Sequence, residues 1–194
     1  MIRARGLAKR FGAKRVLAPL DLDVAEGDFV VVTGPNGSGK TTLLRVLAGL
    51  VAPTGGEFEL GVDRSELGLL AHEPLVYREL TALENLELFG RLYRVPERRE
   101  RIGMLLERYG LWDVRQERAA SFSRGTAQRL ALCRALLHEP RLLLLDEPFN
   151  ALDAEGVELL QRELGTLRAE RTLVVATHEP ERLGPLATGR LALA

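Results

Sequence analysis

Three short stretches of the chain are apolar without interruption, at residues 29–32, 142–145 and 173–176. A strand with one buried face alternates apolar and polar side chains, whereas a strand of a parallel sheet is buried on both faces and reads as a continuous apolar run. The pattern therefore predicts strands at residues 29–33, 142–145 and 173–177 in the core of a parallel sheet.

The first part of the chain has a different pattern. Residues 2–8 and 16–24 alternate enough between apolar and polar side chains to predict strands, and a turn at residues 26–28 precedes the first core strand. Further short strands are expected near residues 57–60 and 67–71. We expect the N-terminal strands to form an antiparallel β subdomain.

Between residues 81 and 118 the apolar residues recur at helical spacing. Pro96 separates two helices here, and Gly110 is expected to cap the second. Three further helices are predicted. One follows the loop before residue 40 and ends at about Gly49, and the others span residues 126–137 and 154–168. The apolar residues that define the pair of helices are Leu83, Leu86, Leu88, Phe89, Leu92, Ile102, Leu105, Leu106 and Tyr109.

Composition narrows the class of protein. The charged residues cancel at 27 acidic against 27 basic side chains, so nothing indicates a nucleic-acid surface, and no nucleic-acid partner is expected. The arginines of residues 91–108 are interleaved with glutamates, which is typical of a solvated, salt-bridged face. Cys133 is the sole cysteine, which excludes a disulfide framework and a cysteine-based zinc site.

We expect a cytosolic protein that reaches a membrane only through a partner. Residues 1–5 lack the apolar segment of a signal peptide, and no apolar run approaches the roughly 20 residues that span a bilayer.

The most specific motif follows the first core strand. Residues 34–42 fit G-x-x-x-x-G-K-[ST] between an apolar strand and a helix-like segment, the context in which this pattern binds phosphates. Glycines let backbone N–H groups turn toward the phosphates, while Lys40 supplies a positive charge and Thr41 a hydroxyl for Mg²⁺. A plain glycine-rich turn is the alternative, but it would not require the lysine. The candidate nucleotide-binding residues of the loop are Gly34, Asn36, Gly37, Ser38, Gly39, Lys40, Thr41 and Thr42.

A second motif ends the apolar strand at 142–145. Asp146 and Glu147 follow it directly, and residues at the carboxyl edge of a parallel sheet face the crevice where ligands bind. Asp146 is suited to holding Mg²⁺, and Glu147 to orienting or deprotonating an attacking water. Taken alone, the pair could equally be a solvated turn.

Together with the pattern of strands and helices, the two motifs predict an α/β fold of the P-loop NTPase (RecA-like) type. It would have a parallel-sheet core, an N-terminal antiparallel β subdomain and an inserted α-helical subdomain. The chain, 1–194, is predicted to form a single domain. Residues 1–72 and 139–194 would form the α/β core with its β subdomain, and residues 73–138 the helical subdomain.

The motifs and their order resemble the ATP-binding-cassette (ABC) ATPases over essentially the whole chain. Residues 121–129 (Ser-Phe-Ser-Arg-Gly-Thr-Ala-Gln-Arg) lie where that family carries its LSGGQ signature, and residues 150–153 (Asn-Ala-Leu-Asp) resemble its D-loop. His178 lies at the position of the switch histidine and Glu73 at that of the Q-loop residue. Phe11 lies where the family stacks an aromatic ring on adenine.

The resemblance implies a role for each position. His178 would contact the γ-phosphate and act with Glu147 in catalysis, and Phe11 would stack on adenine. Without the family pattern, a lone phenylalanine such as Phe11 is more often a core residue, and His178 could be a polar residue at a strand end. The implied metal-binding residues are Thr41, Asp146 and Glu73.

The signature segment would close on ATP bound to a second subunit, through Ser123, Arg124, Gly125 and Thr126. Arg124 replaces a glycine of the family pattern and Thr126 replaces the glutamine. Ser123 and Gly125 would also be compatible with capping the next helix. Glu73 stands where glutamine is usual, which adds negative charge and removes an amide donor.

Residues 70–86, the Phe-Ser-Arg-Gly-Thr form and the short C-terminus look like the ATPase subunit of the heme exporter of cytochrome c biogenesis. The Thr-x-x-Glu-Asn part of residues 81–85 is shared by many exporters.

The resemblance implies an ATP-binding, Mg²⁺-dependent ATPase that energises export through a separate integral membrane subunit. Two ATPase subunits would pair head to tail as a homodimer on the inner face of the cell membrane. The membrane subunit would contact a groove beside the helical insertion, with Leu75, Val76, Tyr77 and Leu80 as candidate contacts, although core packing explains these residues equally well.

Three alternatives remain. The chain could serve another ABC exporter, or it could be a soluble ABC ATPase of DNA repair or translation. The third is a phosphate-loop kinase or GTPase. The short insertion lacks the sustained heptads of chromosome-type members, and only one cassette is present, unlike translation-type members. The signature segment and the Asp146–Glu147 pair argue against a kinase or GTPase.

Overall fold

A computed structural model describes all residues of the chain, 1–194. Three short 3-10 turns accompany thirteen longer elements. In chain order these are β1 (Ile2–Phe11), β2 (Lys14–Val24), β3 (Phe29–Thr33), α1 (Lys40–Leu47), β4 (Gly55–Leu60), β5 (Leu67–Leu70), α2 (Ala82–Leu92), α3 (Arg98–Arg108), α4 (Arg124–Leu136), β6 (Leu142–Asp146), α5 (Ala154–Arg168), β7 (Thr172–Ala176) and β8 (Gly189–Ala192).

Five strands form a parallel sheet in the order β5-β6-β7-β3-β8. Successive residues of β6 face two different cores. Leu143 and Leu145 join a cluster with α2 to α5, while Leu142 and Leu144 join a cluster with β1, β2 and α1. This two-sided burial is the physical reason for the uninterrupted apolar runs, and the predicted parallel core is confirmed.

The other sheet has three antiparallel strands in the order β2-β1-β4. Ala4, Leu7, Leu17 and Leu22 turn inward from β1 and β2 onto the cluster that contains α1. Their opposite faces carry charged side chains, which is the alternation that the sequence indicated. The predicted antiparallel part is therefore confirmed.

Helices α2, α3 and α4 follow β5 and form the helical part of the chain. Thr81 caps α2, because its side chain accepts from Glu84 N at 3.1 Å while the Glu84 carboxylate accepts from Thr81 N at 2.8 Å. Gly110 has a φ of 64° just after α3, as its predicted capping role requires.

Several element boundaries differ from the prediction by one to three residues, and one strand was not predicted. Helix α4 begins at Arg124 instead of residue 126, because Ser123 caps it. Strand β8 has no counterpart among the predicted strands: it has four residues and is only half apolar, and its pairing with β3 comes from distant sequence. The longest helix, α5, has 15 residues, and none of the helices has the length and apolarity needed to cross a membrane.

Candidate active site

The predicted phosphate loop connects β3 to α1 and is closely packed from behind. A Cβ on Gly34 would lie 2.6 Å from Leu193 O, and a Cβ on Gly39 would lie 2.5 Å from Val16 O. Gly39 also has a φ of 99°, a conformation that other residues rarely adopt. Glycine is therefore required at these positions by the protein's own backbone, which leaves the loop's other side for a ligand.

Lys40 is buried within this loop and is 7% exposed. Its Nζ donates to Gly34 O at 2.8 Å and to Pro35 O at 3.4 Å. The same Nζ lies 3.6 Å from Glu147 Oε1. A buried ammonium held by backbone carbonyls is a concentrated positive charge inside the loop, which is the property that phosphate binding needs.

Glu147 links the phosphate loop to His178. It follows β6 directly with a φ of 50°, and its N–H donates to Ala176 O at 2.8 Å. Its Oε2 accepts from His178 N at 3.1 Å and lies 2.7 Å from His178 Nδ1. Three residues predicted from separate motifs, Lys40, Glu147 and His178, therefore meet at the carboxyl edge of the parallel sheet.

Glu147 has a left-handed backbone conformation, which non-glycine residues rarely adopt. The bond to Ala176 O and the two bonds from His178 hold the residue in this conformation. Such backbone conformations persist where the surrounding structure fixes them, and they cluster at functional sites. The conformation aims a buried carboxylate at the loop instead of at solvent.

Asp146 is buried at the end of β6, and its Oδ1 has no hydrogen-bond partner. Burial raises the pKa of this carboxyl above its ordinary value, while the hydroxyl of Thr41 opposes that shift. An unpaired buried carboxylate oxygen beside a hydroxyl suits a hard cation such as Mg²⁺. No group of three or more histidine, cysteine, aspartate or glutamate side chains is arranged to hold a metal ion.

Two predicted site residues form no hydrogen bond or ion pair with this cluster. Glu73 is exposed in the connection after β5 and forms no ion pair or side-chain hydrogen bond, so its metal role stays a prediction. Phe11 ends β1 with 52% of its surface exposed, and Lys9 Nζ lies 4.8 Å from the centre of its ring. The interpretation of Phe11 as a core residue is wrong, and its stacking on adenine stays a prediction.

The signature segment lies at the start of α4. Ser123 Oγ accepts from Thr126 N at 3.1 Å and lies 2.8 Å from Thr126 Oγ1, while Arg124 is exposed. A Cβ on Gly125 would lie 2.8 Å from Ala151 O, so this glycine is needed for packing against the residues that resemble a D-loop. No hydrogen bond or ion pair joins residues 123–126 to the phosphate loop within the chain.

Sequence reasoning missed two residues that shape the loop, Val16 and Leu193. Both contribute backbone oxygens that approach the loop glycines, as the distances above show. Their positions, far along the chain from the loop, give no local signal, because any side chain can supply a carbonyl. The motif of the phosphate loop therefore could not show which residues pack behind the loop.

The parallel core and the phosphate loop define a P-loop NTPase, and comparisons with known proteins identify the family. Residues 17–150 match the family described as "ABC transporter", and the chain belongs to this family.

Two relatives illustrate the range of the family. The chain is 36% identical over 191 residues to the "Uncharacterized ABC transporter ATP-binding protein YdbJ" of Bacillus subtilis (strain 168), covering 92% of this chain and 61% of the relative. It is 40% identical over 203 residues to the "Aliphatic sulfonates import ATP-binding protein SsuB" of Mycobacterium sp. (strain MCS), covering 100% of this chain and 82% of the relative. The chain thus spans about three fifths of some curated relatives and most of others.

A solved structure shares the fold at a TM-score of 0.85 and 31% identity, covering 94% of this chain and 90% of the other. It is described as a dimeric, post-hydrolysis state of the ATP-binding cassette MJ0796 bound to ADP and Pi.

We predict that Gly39→Ala destabilises the protein by more than about 1 kcal/mol, because the new Cβ meets a backbone oxygen at a positive φ. Gly103→Ala is the matched control: a Cβ at Gly103, inside α3, meets only Trp112 at 3.8 Å. Replacing this helical glycine should stabilise by about 0.5–1 kcal/mol. Urea unfolding measures both changes. Equal stabilities for the two variants would contradict the described loop packing.

Proposed function

We propose that this protein is an ATPase subunit of an ABC transporter that binds ATP with Mg²⁺ and hydrolyses it. The observation that carries the proposal is the convergence of Lys40, Glu147 and His178, next to the unpaired carboxylate oxygen of Asp146. A positive charge for phosphate, a base with an orienting partner, and a cation ligand are the parts that phosphoryl transfer to water requires.

The residues would divide the work as follows. Lys40 and the N–H groups of the loop bind the outer phosphates, and Thr41 and Asp146 hold Mg²⁺, which neutralises charge on the phosphate oxygens. Glu147 accepts the proton of the attacking water. His178 positions Glu147 through Nδ1 and keeps its other ring nitrogen for the predicted γ-phosphate contact.

Binding of ATP would change the contacts of Lys40, and this change would connect nucleotide binding to catalysis. In the structure the ammonium lies between two loop carbonyls and the Glu147 carboxylate. Phosphate oxygens carry more negative charge than carbonyls, so bound ATP would draw Lys40 toward the phosphates. Glu147 Oε1 would then be free to bind the attacking water.

We further propose that the complete site forms between two copies of the chain. Within one copy, residues 123–126 make no hydrogen bond or ion pair with the phosphate loop, although both are suited to bind anions. The dimeric structure of the similar cassette MJ0796 supports a paired arrangement. In a head-to-tail homodimer, the signature residues Ser123, Arg124, Gly125 and Thr126 would approach ATP held by the other copy. Phe11 of the copy that holds the ATP would stack on the adenine.

A groove with a volume of about 530 Å³ supports the proposal that the chain binds a membrane subunit. Its surface includes the exposed apolar side chains of Leu50, Leu75 and Leu92 together with Tyr93. Contiguous exposed apolar surface of this kind marks interaction sites. We propose that an integral membrane subunit docks here, which would place the chain on the inner face of the cell membrane.

The four candidate contacts predicted from sequence divide between groove and core. Leu75 lines the groove, and Tyr77 is 53% exposed with its ring centre 6.0 Å from that of Phe89, a groove residue. Val76 packs against the larger core cluster, and Leu80 is half-buried. We propose that residues 73–138 form the helical subdomain and residues 1–72 and 139–194 the α/β core, with the groove lined by both.

A more specific proposal concerns the direction of transport and the transported substrate. We propose export, and heme export in cytochrome c biogenesis in particular, supported by the sequence features of residues 70–86 and 122–126. SsuB shows that similar cassettes also carry names of importers. The alternatives are another ABC exporter and a soluble ABC ATPase, and the apolar groove favours a transporter over the latter.

We predict that Glu147→Gln lowers the rate of ATP hydrolysis by about 100-fold or more, since it removes the general base, while ATP binding is retained. With Mg-ATP the variant should elute from size-exclusion chromatography as a stable dimer. Glu158→Gln, an exposed position on α5, is the control and should hydrolyse ATP at the unmodified rate. Normal hydrolysis by Glu147→Gln would remove Glu147 from the proposed catalytic role.

We predict that Leu92→Glu reduces recovery of the membrane subunit at least about tenfold, the effect of losing one interface anchor worth about 1.4 kcal/mol. Leu92 is 67% exposed in the groove, and Met104→Glu, 44% exposed outside the groove, is the control. Capture from detergent-solubilised source membranes, quantified by mass spectrometry, measures recovery and identifies the subunit. Equal recovery with both variants would exclude the groove as the docking site.

A further inference from the structure

Arg134 joins helix α4 to both ends of the segment that carries Glu73. Its Nη1 donates to Leu75 O at 2.5 Å, and its Nη2 donates to Leu69 O at 3.0 Å. The two carbonyls bracket residues 70–74. One planar guanidinium therefore closes this segment into a loop whose base is fixed to α4.

No carboxylate accompanies this guanidinium. Arg134 takes part in none of the ion pairs of the chain, and its only other charge-stabilising contact is the ring of Phe89, whose centre lies 5.2 Å from Cζ. Burial lowers the pKa of Arg134, which is the sign of a charge removed from water. Two carbonyl dipoles and an aromatic face thus compensate a partly buried charge. An apolar side chain would fill the same space without this cost.

The rest of the connection is fixed independently. Asn85 is 1% exposed, and its Oδ1 accepts from Tyr77 N at 2.8 Å. Its Nδ2 donates to Tyr77 O at 2.9 Å and to Thr81 O at 2.9 Å. Residues 71–74 have no such side-chain anchor of their own. Their position is therefore set by the fixed points on either side. Leu69 is already held in β5 beside β6, and Arg134 ties Leu75 to it by donating to both carbonyls.

The clamped segment begins beside the candidate active site. Leu70 pairs with Leu145 in neighbouring parallel strands, so the chain leaves the sheet next to Asp146. A change at Leu69 or Leu75 would move residues 71–74 relative to that carboxylate. The same guanidinium lines the groove described above, so the clamp lies between the groove and the site.

We infer that Arg134 is a positioning residue that clamps residues 69–75 and thereby sets where Glu73 stands relative to Asp146. The clamp itself is independent of the proposed function, whereas its effect on hydrolysis rests on that function. Lysine would keep the charge but lose the planar fork, and glutamine would lose the charge as well.

The clamp can be tested without nucleotide. A nitroxide on His72→Cys reports the mobility of the segment, and Cys133 does not compete for the label because it is buried and its thiol pKa is raised. We expect Arg134→Gln to shorten the rotational correlation time of the label at least about threefold, with a smaller change for Arg134→Lys. Arg171→Lys is the control, because Arg171 also donates to a backbone carbonyl, that of Pro140, away from this segment. An unchanged label in both Arg134 variants would overturn the clamp.

A double-mutant cycle tests whether Arg134 acts through Glu73. We expect Arg134→Lys and Glu73→Gln each to raise the Mg²⁺ concentration that gives half-maximal ATP hydrolysis several-fold. In the double variant, the increase in this concentration should be well below the product of the two single increases. If the two effects multiply in the double variant, or if neither single change has an effect, the inference that Arg134 acts by positioning Glu73 is overturned. If the unmodified chain shows no Mg²⁺-dependent hydrolysis, the proposed function fails, and the label mobility still decides the clamp.

Discussion

The buried contact between Lys40 and Glu147 is the interaction on which the rest of the site depends. Their charged atoms lie 3.6 Å apart, and neither residue is more than 7% exposed. Removing two charges from water costs free energy that such a pair seldom recovers fully, so stability alone does not account for it. The pair joins the loop after β3 to the end of β6 and keeps both charges where phosphates would bind. It is best understood as preorganisation.

The surrounding structure compensates this cost with backbone groups. Carbonyls of Gly34 and Pro35 accept from Lys40, while Glu147 accepts from the His178 N–H. Each of these groups lies at the carboxyl edge of the parallel sheet, where strand ends converge. The apolar strands behind them, buried on both faces, give that edge its rigidity. Fold and chemistry are thus connected through the strand ends.

Much of this arrangement could be predicted from sequence, because the relevant signals are local. β3 and α5 have the predicted bounds, since an apolar run and an Asp153 cap define them without tertiary help. The sequence placed both motifs at the ends of core strands, whereas the contact between Lys40 and Glu147 is seen only in the structure. β8 could not be predicted, because its half-apolar sequence acquires meaning only beside β3. The Arg134 clamp likewise depends on which carbonyls the fold brings to it.

The central claim is that the signature segment of one copy completes the site of the other. Mixing two inactive variants tests it most directly. Lys40→Ala disables the loop, and Ser123→Asp keeps a residue able to cap α4 while adding a charge that repels phosphate. We predict negligible ATP hydrolysis by each variant alone and recovery in the mixture, because a mixed dimer contains one intact site. Normal hydrolysis by Ser123→Asp alone, or an inactive mixture despite mixed dimers, would contradict the claim.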